Sequence, residues 1–279
     1  MTTGPVRRSA VAGTWYPGSP AAIAAEVEEY LGAVPAAPPA GRLVALIAPH
    51  AGLRYSGPVA AHAYALLRGR PRLTAVLVGP WHRPLFGGVA VAARGAFETP
   101  LGRIPIDEAL ADRLVAGNDA IANEPRAHAQ EHSLEMQLPF LQHLVPDLRI
   151  VPVLMGSQDR AHVDLLAAAL VRALEGTDAL LVASSDLSHY HPAPEAHAID
   201  AKVVAEVQRL DPERLMDRLE SVRGHACGGG PMVAVMKAAR SRGADHAAIL
   251  KYGDSGDVAE GDKSQVVGYL AAALTAGES

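Results

Sequence analysis

The sequence predicts an α/β fold, a single domain over residues 1–279 with a central mixed or mostly parallel sheet and helices on both faces. Three observations predict it. Apolar runs of strand length recur at 43–48, 73–78, 148–154, 179–183 and 247–250. Most are apolar at every position rather than at alternate ones, which is the pattern of strands buried on both faces. Helix-like stretches lie between them, and such alternation builds layered α/β domains.

Each element follows from local chemistry. Pro20 to Leu31 reads as a helix with Ser19 as N-cap and Pro20 at its first position. The proline-rich segment 35–41 is a connector. Further helices are expected near 58–68, 107–116, 132–144, 159–174, 194–209 and 229–242. Asp107 and Asp159 suit N-caps, and Pro139 should kink or shorten its helix. Residues 87–105 mix strand-like pieces with Gly and Pro and suggest a hairpin excursion. The C-terminal run SQVVGYLAAALTA is compatible with a strand or a helix, because its apolar residues follow neither period.

Composition narrows the function. With 279 residues and 49% hydrophobic content the chain can bury a full core. A formal charge of −5, with basic residues scattered, gives no electrostatic reason to expect nucleic acid or an anionic membrane. One cysteine, Cys227, permits no internal disulfide. No secretory signal or membrane-spanning run is evident, so a cytoplasmic protein is expected.

In open α/β sheets, ligands sit beyond the carboxyl ends of the strands. His50 follows the first apolar run, Trp81-His82 the second, and Ser184-Ser185-Asp186-Leu187-Ser188-His189-Tyr190 the fourth. Cys227 lies in a glycine-rich loop opening a helix, where the helix dipole should lower its pKa. Any one of these histidines alone is an ordinary loop residue, and a lone cysteine is ordinarily a small core residue. Their convergence on one sheet edge argues otherwise. His62, His143, His162 and His246 lack such placement and read as structural or exposed. Imidazoles and a thiolate are good ligands for iron, copper or zinc, and two histidines with one anion leave positions open. Asp186 beside His189 suits a carboxylate that fixes the tautomer of a base. The ligands are far apart in sequence and form no compact zinc motif, so spacing by itself does not identify a metal. Glu131 and His132 open the stretch 129–144, which reads first as an amphipathic helix packing Leu134, Leu138 and Leu141 on the sheet. A Ser-His-Asp hydrolase from Ser184, Ser185, Asp186 and His189 ranks low, because no GxSxG elbow is present. No phosphate-binding glycine loop supports a nucleotide site.

Seven ordered blocks then carry a resemblance: AGTWYPG (12–18), APHAGLRYSGPVAAHAY (48–64), ETPLGRI (98–104), EHSLEMQLPFLQ (131–142), VASSDLSHY (182–190), ACGGGP (226–231) and YGDSGD (252–257). Together they resemble the Memo family, whose prokaryotic members are called AmmeMemoRadiSam system protein B. The resemblance implies a fold similar to the class III (LigB-like) extradiol dioxygenases. It implies metal ligation by His50, His82 and Cys227, with Fe(II) favoured and copper or zinc as alternatives. Asp186 and His189 match catalytic pocket residues, and Glu131 and His132 belong to a family motif near the pocket. Tyr55, Trp81 and Tyr190 are expected to line it. Trp81 and Arg83 depart from the family's Gly-Pro-Ser-His-His pattern around His82. The implied functions are a dioxygenase-like oxidoreductase, a non-catalytic peptide- or partner-binding protein, or a zinc-dependent hydrolase. Expected partners are a small molecule or peptide, and a radical-SAM protein and AmmeMemoRadiSam protein A.

Overall fold

The apolar runs become the strands of one nine-stranded sheet. The computed structural model describes residues 4–35, 39–83, 87–222, 224–258 and 261–277. In chain order the elements are β1 (Val6–Arg7), α1 (Pro20–Gly32), β2 (Arg42–Ala48), α2 (Leu53–Tyr64), β3 (Arg72–Pro80), β4 (Val89–Val91), β5 (Ala96–Thr99), β6 (Gly102–Pro105), α3 (Glu108–Val115), β7 (Ile121–Asn123), α4 (Pro125–His128), α5 (Leu138–Leu144), β8 (Asp147–Met155), α6 (Arg160–Ala173), β9 (Leu180–Ser184), β10 (Asp186–His191), α7 (Ala193–Gln208), α8 (Pro212–Ser221), α9 (Gly229–Ser241), β11 (His246–Asp254) and β12 (Val266–Ala276).

The sheet runs β10-β12-β2-β9-β3-β8-β4-β7, with β11 paired to β12. Its centre, β2-β9-β3-β8, is parallel. Around it β12 joins β2, β10 and β11 antiparallel, and β4 joins β8 antiparallel. Helix α9 packs on β9, β3 and β2 and is flanked by α6 and α8, while α2 packs on β12, β2 and β11 beside α1 and α5. The central strands are therefore buried from their third or fourth residue onward, and β9 along its whole length, as their apolarity requires. Ser19, Asp107 and Asp159 each accept a backbone N–H from the first turn of α1, α3 and α6. Between residues 87 and 105, β5 and β6 form the expected hairpin, and β1 completes a second, three-stranded sheet.

Several expectations are corrected. α2 begins at Leu53, not 58, so it follows β2 almost at once and carries Pro58 inside it. The helix expected over 132–144 starts as a 3-10 turn at Glu135–Gln137 and becomes α-helical only at Leu138. Pro139 is then a first-turn residue, where its missing N–H costs nothing. Residues after β9, expected as a loop, form β10, an irregular strand whose register shifts twice against β12. The C-terminal run is a strand, β12, with every position buried but one. A strand buried on both faces shows no alternation, so periodicity alone could not decide it.

Candidate metal centre

Sheet order brings the chemistry together. β9 lies between β2 and β3. His50, Asp186 and His82 each lie two residues beyond the ends of β2, β9 and β3 respectively. Adjacent parallel strands are about 4.8 Å apart, so side chains from these three turns meet over one point of the sheet edge. The His50 and His82 rings lie 5.2 Å apart, centroid to centroid. His132 stacks on His82 at 4.6 Å and meets His50 at 5.6 Å. The donor atoms of His50, His82 and His132 all lie within 4.8 Å of one another, and so do those of His50, Asp186 and Cys227. His50 belongs to both groups. Its Nε2 is 3.1 Å from Cys227 Sγ. Two donors bonded to one ion at about 2.0–2.3 Å have separations of this order.

Close backbone approach makes the arrangement possible. A Cβ on Gly228 would lie 2.3 Å from the Ser184 carbonyl oxygen, so only glycine lets the Cys227 loop press on the end of β9. A Cβ on Gly79 would lie 2.7 Å from Leu134 Cδ2 and 2.9 Å from Ser133 Oγ. Gly79 thus admits the segment carrying His132 beside the strand that carries His82.

Glu131 ties that segment to His82. Its Oε1 accepts from His82 Nδ1 at 2.9 Å, His132 N at 2.8 Å and Ser133 N at 2.9 Å, and its Oε2 accepts from His82 N at 2.7 Å. Burial acts to raise its pKa, but the bonds from His82 and Ser133 outweigh it and hold the carboxyl at about 2. The carboxylate therefore fixes the proton on His82 Nδ1 and leaves Nε2 as the donor, the arrangement common behind metal-ligating histidines. Burial is also the main cause that lowers His132 to about 4 and His50 well below the usual histidine range. Both present neutral imidazoles near pH 7.

Cys227 differs from expectation. Burial, and then the Asp186 carboxylate, push its pKa up instead of down. It lies before the Gly228 cap of α9, and desolvation outweighs the helix dipole there. Asp186 is likewise pushed up to about 7 by burial, against the opposing hydrogen bonds from His50 N and Ala51 N. The expected Asp186–His189 relay is replaced. Asp186 accepts from the β2–α2 turn, and His189 Nδ1 donates to the Leu187 carbonyl at 2.8 Å, which leaves His189 Nε2 as acceptor. The register shift in β10 between these two residues sets them on separate tasks.

A cavity of about 1350 Å³ opens over this floor and is lined by His50, His82, His132, Asp186, His189 and Cys227. Trp15, Tyr55 and Tyr190 are exposed along the same cavity. Tyr190 is 72% exposed and has φ 63°, a left-handed conformation uncommon outside glycine. Trp81 does not line the cavity but packs against the core. Glu131 lies beneath the histidines instead of at the rim, buried to 3% exposure. His225, beside Cys227, is buried outside the cavity lining. His143 and His162 pair with Glu28 and Asp159. Sequence reasoning did not single out Trp15, whose ring lies 4.3 Å from His132. Its one signal was membership of the first resembling block. Nor did it place His132 among candidate ligands.

Comparison with known proteins shows the family. The model of the Memo family, described as Memo-like protein, matches residues 7–273. The chain belongs to the Memo family. It is 39% identical over 275 residues to a MEMO1 family protein of Methanothermobacter thermautotrophicus, covering 95% of this chain and 98% of the other. A MEMO1 family protein of Methanopyrus kandleri is 39% identical over 279 residues, covering 95% and 97%. One from Sulfolobus acidocaldarius is 36% identical over 280 residues, covering 95% and 98%. Among the described residues no helix is long and apolar enough to cross a membrane.

Proposed function

We propose that this Memo-family chain is a metal-dependent oxidoreductase of the dioxygenase-like kind, using Fe(II), with copper as the alternative metal. One observation carries the reading. His50 and His82, each with its Nδ1 hydrogen-bonded behind it, and His132 bring donor atoms within 4.8 Å of one another, with a thiol 3.1 Å from His50 Nε2. His50, His82 and Cys227 would hold the ion, with His132 as a further donor beside His82. Cys227 would give up its proton on ligating, which makes binding tighten as pH rises. Bound iron supplies redox chemistry with open coordination positions. His189, whose Nδ1 donates to the Leu187 carbonyl and which lines the cavity, would take a proton from a bound substrate through Nε2. Trp15, Tyr55 and Tyr190 orient what enters.

Elemental analysis of protein made without a histidine tag and purified anaerobically tests this. About one iron per chain is expected in the wild type. Loss of iron in Cys227→Ser with retention in His132→Ala supports the thiolate as third ligand, and the opposite pattern assigns that place to His132. Zinc retention with turnover of model esters replaces the reading by hydrolysis. Protein without bound metal sinks it.

The exposed Trp15, Tyr55 and Tyr190 favour a second reading, in which the cavity docks a peptide or partner protein. A radical-SAM protein and AmmeMemoRadiSam protein A are the partners to test, and co-purification lost on Tyr190→Ala with metal content unchanged supports docking.

A further inference from the structure

Two backbone carbonyls, which can only accept, determine where the proton on His50 sits. The first is that of Pro49. Gln137 Nε2 lies 3.0 Å from it and 3.3 Å from the Ser133 carbonyl, so this end of the amide is the NH₂ group. The amide oxygen accordingly accepts from Tyr64 Oη at 2.6 Å. The second carbonyl is that of Ser133, 2.7 Å from Ser184 Oγ. The hydroxyl's single proton is committed there. Both lone pairs of Ser184 Oγ are then left for donors, Gln137 Nε2 at 2.8 Å and His50 Nδ1 at 2.8 Å. His50, Tyr64, Gln137 and Ser184 are all at most 1% exposed, so solvent offers no substitute. The other tautomer would set two lone pairs against each other with no proton between them, in a site where an unpaired polar atom is costly.

We propose that Ser184, oriented by the Ser133 carbonyl and by Gln137, is the positioning residue that holds His50 in the Nδ1–H tautomer and so keeps its Nε2 lone pair turned toward Cys227 and the cavity. The tautomer stands on the hydrogen-bond chain alone. Its consequence for metal binding rests on the function proposed above. His82 receives the same service from a carboxylate, Glu131. At His50 a neutral hydroxyl does it, so no buried charge is added beside Asp186.

The test is the ¹⁵N spectrum of histidine-labelled, metal-free protein, with the His50 resonances assigned by their loss in His50→Gln. The wild type is expected to show His50 protonated on Nδ1. Ser184→Ala is expected to shift His50 toward the Nε2–H form and to weaken Fe(II) binding, measured anaerobically, by roughly 10- to 100-fold. Ser184→Thr, which keeps the hydroxyl, is expected to restore both. A wild-type His50 protonated on Nε2, or a tautomer unmoved in folded Ser184→Ala, overturns the proposal even if iron still binds. If Ser184→Ala does not fold, the wild-type spectrum alone decides. A wild type that shows the Nδ1–H form yet binds no iron supports the positioning role and removes the metal reading instead.

Discussion

At the scale of single residues the site depends on hydrogen bonds that leave no trace in sequence periodicity. Glu131 accepts four of them, two from His82 and one each from His132 and Ser133. Glu131→Gln keeps the volume but turns one acceptor into a donor that faces other donors. The expected result is metal affinity lower by roughly 10- to 100-fold, since the Nδ1 partner of His82 is lost. Stability should fall by about 1–3 kcal/mol, because buried N–H groups lose an ionised acceptor. Anaerobic Fe(II) titration and urea unfolding read the two effects, and unchanged affinity would remove Glu131 from the support of the centre. His50 and His82 were legible in the sequence, because each closes an apolar run at a sheet edge. His132 was not legible as a ligand, because it sits in an irregular segment and owes its place to Glu131 and Gly79. Ser184 and Gln137 were still less so, since the bonds that join them to each other and to His50 span 47 and 134 residues.

At the scale of elements, strand interiors were legible and their ends were not. Central strands declare themselves by continuous apolarity, whereas β10 is polar, irregular and marginal in pairing. Helix α8 escaped notice for a related reason. It buries only Pro212, Leu215 and Met216, and it is tied to its neighbours by ion pairs such as Arg160–Asp217 and Arg218–Glu206. The glycine run before α9 was legible as a turn, but not as the contact that seats Cys227. That contact yields a prediction. Gly228→Ala puts a methyl 2.3 Å from the Ser184 carbonyl and 2.8 Å from Ser185 Cβ, and backbone must move. A destabilisation of about 1–3 kcal/mol is expected in urea unfolding. The lifted loop should also expose more of Cys227, whose half-buried thiol, its pKa raised, otherwise reacts slowly. Faster labelling by a neutral thiol reagent in Gly228→Ala checks this, and equal rates with equal stability would show that the loop does not depend on close approach.

At the scale of the whole molecule, the sheet stores several buried titratable groups whose effects on stability oppose one another. His128, on α4, is 2% exposed, bonds the Ala90 carbonyl through Nε2 at 3.2 Å and meets the Phe97 ring edge-on. Burial lowers its pKa to about 3. An unfolded histidine titrates near 6.5, so between about pH 6.5 and 3 unfolding takes up a proton at this residue. His128 therefore contributes stability that is present above about pH 6.5 and lost as pH falls toward 3, with a slope of about 1.4 kcal/mol per pH unit in between. Glu131, held at about 2, adds a loss of the same sign at lower pH, from its ordinary carboxylate range downward. Asp186, raised to about 7, acts in the opposite sense, because its folded form keeps a proton that the unfolded form has released above about pH 4. The total curve is thus a difference of large contributions, and its shape alone assigns nothing. Subtraction isolates the residue. His128→Gln removes the titrating group while Asp186, Glu131 and His132 stay in place. Urea unfolding of both proteins between pH 4 and pH 6 should give a variant that is less stable at pH 6 but flatter with pH by about one proton's worth of slope. Parallel curves would mean that His128 is as easily protonated folded as unfolded, and that the space between α4 and β4 is open to water.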